Sequence, residues 1–251
     1  VGPSGYVLAG WNPLRLALEI AWLDQLTKGR TFVGFARGYQ NRWLRQMAQK
    51  VHVSATRSDK SEADKANREA FEEVFRFLKL AWGDKPFRVK GKHYEYPMPY
   101  DNPELWPPHE WTREFGAAGE VDDQGLLQMI DVVPKPYQKP HPPLFQAFSL
   151  SEETVRWCAR EGLNPSLLVG DPAKVRGFAE IYVEEAAKSG RTLGLGDNVA
   201  ILRQVNLGDT YAEARGYAEL GMTGVGMPKF FAHFGFTEAW RLPEDEAKYA
   251  G

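Results

Sequence analysis

One stretch narrows the possible folds more than any other: Thr31-Phe-Val-Gly-Phe-Ala-Arg-Gly-Tyr39. From Thr31 to Ala36 it is β-branched, aromatic or small, with no charge. That composition fits a strand covered on both faces, as in a parallel sheet. Upstream, residues 3–10 read as a strand end and a turn. Asn12 and Pro13 then suit the N-cap and first position of a helix. Leu16, Ile20, Leu23 and Leu26, flanked by Ala17 and Ala21, recur at helical spacing, and Gly29 stops the run. Strand, helix and strand in this order demand parallel pairing through a right-handed crossover. Arg37 falls where the strand emerges at its C-terminal edge, the edge at which parallel α/β folds bind ligands.

The alternation then continues. Residues 38–60 read as an irregular loop at the ligand edge. Ser61 to Trp82 reads as a helix with Ala66, Ala70, Val74, Phe77 and Leu78 on one stripe. Glu62 and Asp64 near its start suit the dipole. Residues 84–128 break the pattern: a hairpin around Lys90-Gly91, then a long run rich in Pro, Trp and Gly. This segment reads either as a lid over a ligand or as a surface excursion packed by its own aromatics. Met129 to Val133 is strand-like, and the prolines of 134–143 impose extended chain. Leu144 to Phe148 reads as a buried strand. A helix follows to Glu161, with Ser149 and Glu152 at capping-box spacing and Ser151 a second candidate cap. Ser166 to Val169 reads as a strand. The next helix runs from Pro172 to Ser189, with Val175, Phe178, Ile181, Tyr182 and Ala186 inward. Val199 to Leu207 alternates as a strand, Asp209-Thr210 caps a helix over 211–220, and 221–251 shows no clear element.

Strand–helix alternation over 251 residues fits one α/β domain, a (β/α) barrel or a doubly wound sheet, so residues 1–251 are expected to form a single domain. A net charge of −2 gives no field for nucleic acid or an anionic membrane. The single cysteine, Cys158, excludes an internal disulfide and fits a reducing, cytoplasmic setting. No apolar run reaches the roughly 20 residues of a membrane helix, and no leader is visible.

No glycine-rich dinucleotide fingerprint, P-loop or nucleophile elbow occurs, and no histidine or cysteine spacing suits a metal. The five histidines, His52, His93, His109, His141 and His233, all fall away from strand C-termini and read as structural. What remains is Arg37-Gly38 at one strand end and the Ser149-Leu150-Ser151 helix start at another. A helix start offers N–H groups and a positive dipole end; an arginine adds a bidentate contact. Together they describe a phosphate site. Taken singly, a strand-end arginine is an ion-pair partner and a helix-start serine is a cap.

At these residues the chain resembles the bacterial luciferase-like family of flavin-dependent monooxygenases and reductases. The likeness rests on Asn12 to Asp24 with Gly29-Arg30, on Phe32 to Tyr39, on Pro142 to Thr154 with Ala159 and Gly162, and on Val199 to Ala214. The resemblance implies a (β/α)8 TIM-type barrel with an insertion before the fifth strand, where 84–128 falls. Against that pattern the first two strand units and the last are expected to be missing, giving a partial barrel. Open sheet edges then imply association, as a homo-oligomer or with another chain.

The resemblance further implies a monooxygenase using reduced FMN and dioxygen on a small organic substrate, with a flavin reductase as supplier. The alternatives are a deazaflavin-dependent reductase or dehydrogenase and a non-catalytic flavin-binding protein. Carried over by motif, Arg37, Gly38 and Tyr39 with Ser149, Leu150, Ser151 and Thr154 would hold the phosphate, and Gln146 and Ala147 would lie near the ring or ribityl chain. No catalytic base is identified from the sequence.

Overall fold

The structure is a computed structural model that describes residues 1–57, 59–240, 242 and 244. The chain divides into two compact units, Val1–Pro143 and Leu144–Gly251.

The first unit begins with the expected crossover. Strand β1 (Ser4–Val7) pairs in parallel with β2 (Val33–Ala36), setting Ser4 opposite Gly34 and Val7 opposite Ala36. All of β2 is buried. A Cβ on Gly34 would stand 2.8 Å from the Cα of Ser4, so the close approach of β1 requires glycine there. Between the strands lies helix α1 (Pro13–Thr27), whose cap Asn12 accepts from the Arg15 N–H at 3.1 Å. Its buried stripe is Leu16, Ala17, Ile20, Ala21 and then Asp24. Leu26, expected inward, is 74% exposed. The stripe is continued by a polar residue because the Asp24 carboxyl receives the backbone N–H and the Nε2 of Gln138, both at 2.8 Å. Gln138 Nε2 also donates to the Thr31 carbonyl at 2.9 Å. This tie fastens the proline-rich segment to α1 and to the entry of β2.

The loop expected over 38–60 contains a short helix, α2 (Asn41–Met47). Only Leu44 of its seven residues is buried, so it shows no stripe to read. Helix α3 (Glu62–Trp82) follows its predicted course, with the Ser61 hydroxyl capping the Asp64 N–H at 3.3 Å. Ala70, Val74, Phe77 and Leu78 are buried as expected, joined by Phe71, Phe75 and Trp82. The Trp82 indole donates to the Ala17 carbonyl at 3.1 Å, which locks α3 to α1. Phe35 of β2 meets Phe75 edge to face, with centroids 5.8 Å apart.

The excursion after α3 has its own scaffold. Strands β3 (Val89–Lys90) and β4 (Glu95–Tyr96) form the predicted hairpin. Beyond it lies helix α4 (His109–Phe115), and bridges join Phe87 to Ile130 and Leu105 to Leu126. The Asp122 carboxyl gathers the N–H groups of Gln124 and Leu126 and the Gln128 amide. Met129 to Val133 is not a strand. Its donors are shared out: the Glu120 carbonyl takes the Met129 N–H, the Glu120 carboxyl that of Asp131, and the Phe87 carbonyl that of Ile130.

The second unit repeats strand and helix. Strand β5 (Leu144–Ser149) pairs in parallel with β6 (Asn164–Leu167), and β6 with β7 (Ala200–Ile201). Helices α5 (Glu152–Glu161), α6 (Pro172–Lys188) and α7 (Tyr211–Leu220) follow the three strands. Strand β7 is much shorter than the alternating stretch that announced it: Val205 is 74% and Leu207 82% exposed. Short helical turns occupy Met222–Gly226, Met227–Lys229, Phe231–Phe234 and Phe236–Trp240, where no element was expected.

On α6 the buried residues are Ala179, Tyr182, Glu185 and Ala186; Val175, Phe178 and Ile181 are only half-buried. The Tyr182 hydroxyl donates to the Leu163 carbonyl at 2.9 Å. Glu185 takes an inward position because Lys188, Arg156 and Arg160 surround its carboxylate at 2.9, 3.2 and 3.4 Å. Hydrogen bonds from Lys188 first, then Arg160 and Arg156, outweigh burial and hold this carboxyl at about 2, below its ordinary 4.5. A lowered folded-state pKa stabilises fully above about pH 4.5, and the gain is lost as pH falls towards 2. Acid unfolding followed by circular dichroism is therefore expected to flatten over that window in Glu185→Gln. A wild-type curve with no such slope would remove the network from the account.

Candidate cofactor site

In the first unit, Arg37 stands at the end of β2 as expected, but the structure gives its guanidinium protein partners where the sequence pointed to a phosphate. Nη2 donates to Asp64 Oδ1 at 2.8 Å and to the Asp64 carbonyl at 2.7 Å. Nε donates to Asn67 Oδ1 at 2.9 Å, and Asn67 Nδ2 returns to the Arg37 carbonyl at 3.0 Å. The side chains of the ion pair are 8% and 7% exposed. Asp64 Oδ1 also receives the Thr56 hydroxyl at 2.9 Å and the Arg57 N–H at 3.1 Å. The network thus joins the strand end, the 54–57 loop and the start of α3. A signal for it existed: Asp64 and Asn67 lie three apart on the line continued by Ala70 and Val74, as polar residues on an apolar stripe. Gly38 has φ of +83°, and a Cβ there would stand 2.7 Å from a Val7 methyl. Tyr39 is half-buried.

In the second unit, the end of β5 is irregular. The pairing with β6 shifts register between Gln146 and Ser149, and Phe148 has φ of +55°. A bulky residue in the left-handed region is strained, and such strain gathers at functional positions. Of the two candidate caps, Ser151 is the one used. Its hydroxyl accepts from the Thr154 N–H at 3.3 Å and donates to the Thr154 hydroxyl at 3.0 Å. Ser149 is the last residue of β5, fully buried, and its hydroxyl turns back to the Gln146 carbonyl at 3.1 Å. The first turn of α5 also carries Glu152, which Arg156 neutralises at 2.7 Å. Leu150 is half-buried and Ala147 is buried.

Gln146 is the informative side chain. It is 3% exposed, and its Nε2 makes a 3.3 Å bond to the adjacent Ala147 carbonyl. Its Oε1 is buried with no hydrogen-bond partner among the described residues. A buried acceptor left unpaired costs about 1–3 kcal/mol. Here it lies near a strand's C-terminal edge, three residues before Ser149 at the strand end and five before the helix cap Ser151. A ligand with an N–H or hydroxyl group would satisfy it.

None of the five histidines occupies a strand. His141, expected to be structural, donates from Nδ1 to the Pro142 carbonyl at 2.9 Å and packs on Trp82. Burial lowers its pKa. Among the described residues no cluster of metal-ligating side chains occurs, and no helix is long and apolar enough to cross a membrane.

The sequence profile of the family described as luciferase-like monooxygenase matches residues 1–249. The chain belongs to that family. Its fold is α/β, of the TIM-type (β/α)8 barrel class. A 2,5-diketocamphane 1,2-monooxygenase from Pseudomonas putida is 22% identical over 93% of this chain and 55% of its own length. The chain therefore spans about half the length of the curated relatives it matches. Among solved structures, the oxygenating constituent of 3,6-diketocamphane monooxygenase from Pseudomonas putida, in complex with FMN, is similar with a TM-score of 0.65. It shares 20% identity, over 95% of this chain and 58% of the other. An F420-dependent secondary alcohol dehydrogenase is similar with a TM-score of 0.54 and 14% identity, over 86% of this chain and 53% of its own.

Proposed function

We propose that this chain carries the flavin-phosphate site of a flavin-dependent monooxygenase that uses reduced FMN and dioxygen on a small organic substrate. Family membership supports the reaction class, and FMN in the similar camphane enzyme supports the cofactor. The observation that carries the site is the unpaired Oε1 of Gln146, buried beside the start of α5.

In this reading Ser149, Leu150, Ser151 and Thr154 bind the phosphate at the helix start, where the dipole favours an anion. Gln146 Oε1 accepts from an N–H or hydroxyl of the flavin, and the small Ala147 lets the ring approach. Bound reduced flavin supplies the electrons that activate dioxygen. Arg37 braces the end of β2 through Asp64 and Asn67, with Gly38 and Tyr39 continuing the chain from it. A flavin reductase would supply the reduced cofactor.

Likeness to the F420-dependent dehydrogenase favours a second reading, a deazaflavin cofactor at the same turn and hydride transfer without oxygen. Titrating the protein with reduced FMN and with a deazaflavin separates them. Gln146→Leu and Ser151→Ala are each expected to weaken binding of the preferred cofactor about tenfold, a loss of about 1.4 kcal/mol. A wild-type protein that binds neither cofactor would sink both readings. Unchanged affinity in both variants would move the site elsewhere.

A further inference from the structure

The excursion between α3 and the second unit plays no part in the flavin reading, yet it holds a cavity of about 290 Å³. Trp106, Trp111, Phe115, Glu120 and Leu127 line it. Trp111 and Phe115 lie one turn apart on α4, with ring centroids 4.3 Å apart and planes at 42°. Residues four apart share a helix face, so both rings stand on one side. The Trp106 indole N–H is spent on the Thr112 hydroxyl at 2.9 Å, which fixes that ring.

The carboxylate in the wall is pinned as well. Glu120 Oε1 accepts from the Asp131 N–H at 2.8 Å and Oε2 from the Ala117 N–H at 2.9 Å. Three aromatic side chains therefore line the same cavity as a fixed acid while remaining open to water, Trp106 at 44%, Trp111 at 66% and Phe115 at 60% exposure.

Charge decides what such a cavity accepts. Between Glu104 and Asp123 the chain carries six carboxylates and one arginine, Arg113. Arg113 is turned away, donating to the carbonyls of Asp122 and Asp123. Among the described residues no lysine or arginine lies over Trp106, Trp111 or Phe115. An anion would meet net negative charge, and a neutral apolar ligand would leave the acid unused. A cation would gain from the negative faces of the rings and from Glu120 together. The volume suits a compact ligand, being near the lower end of the usual range for small-molecule pockets.

We propose that this cavity binds a small organic cation through a quaternary or tertiary ammonium group, seated against the wall formed by Trp106, Trp111 and Phe115 with Glu120 as counter-charge.

The test is calorimetric titration of the full chain at fixed ionic strength with choline, and with 3,3-dimethylbutan-1-ol, which has the same shape and no charge. Choline is expected to bind about tenfold more tightly than the alcohol, as desolvated cation–π contacts allow. Trp111→Ala and Glu120→Gln are each expected to weaken choline about fivefold or more. Trp22→Ala, which removes an exposed indole on α1, should leave binding unchanged. Equal affinity for choline and the alcohol would overturn the proposal. So would an absence of choline binding, or binding that survives Trp111→Ala. The flavin titration reports on a different unit of the chain, so failure of either reading leaves the other standing.

Discussion

Arg37→Ala is expected to destabilise the protein by about 3–5 kcal/mol, the cost of removing one partner from a buried ion pair. The Asp64 side chain, 7% exposed, would keep its hydrogen bonds from Thr56 and Arg57 but lose the guanidinium charge of Arg37 beside it. Asn67 would lose the donor to its Oδ1. Urea unfolding of Arg37→Ala measures the loss. Replacing both partners with apolar residues, Arg37→Met with Asp64→Leu, should recover most of it, because both charges of the pair are then removed together. A stability within about 1 kcal/mol of wild type, together with weakened flavin binding, would reverse the assignment and make the guanidinium a ligand.

Asp24→Ala is expected to cost roughly 3 kcal/mol, from two hydrogen bonds to a charged group at about 1.5 kcal/mol each. The carboxyl is fully buried and holds both the backbone and the side chain of a residue 114 positions away. Alanine would leave the Gln138 N–H without its acceptor and loosen the segment that leads out of the first unit. Asp24→Asn keeps one acceptor and should cost less than Asp24→Ala. Thermal unfolding of the two variants gives the ranking, and equal midpoints for Asn and Ala would show that the acceptor kept by Asn contributes nothing.

Both predictions turn on polar residues occupying helix positions that periodicity would give to apolar ones. This explains what was legible in the sequence. Helices α1, α3, α5, α6 and α7 were readable from caps and stripes: Asn12, Ser61, Ser151, Asp171 and Thr210 all accept a backbone N–H at their helix starts. Strands β2 and β5 were readable from uncharged runs. Helix α2 was not, because a seven-residue segment with one buried side chain carries no period. Residues 129–133 misled because apolar composition says nothing about where their N–H groups go: Glu120 takes those of Met129 and Asp131, and the Phe87 carbonyl that of Ile130.

At the candidate site the plain reading of each isolated residue matches the bonds observed. Arg37 is an ion-pair partner and Ser151 is a cap. Gln146 differs, since sequence could place it at a strand end but could not tell that its Oε1 would be buried and unpaired. The positive φ of Phe148 was equally hidden, because nothing in the side chain asks for that conformation.

Helix α7 has a Thr210 cap and internal pairs of Glu213 with Tyr217 and Arg215 with Glu219, but no buried residue. At ten residues it is shorter than the roughly 12–15 at which isolated helices persist in water. Its cohesion is therefore that of a helix–coil equilibrium rather than of a packed core. Local opening of α7 costs little and need not wait for β5, β6 and α6 to separate, so its backbone amides open to solvent exchange before theirs.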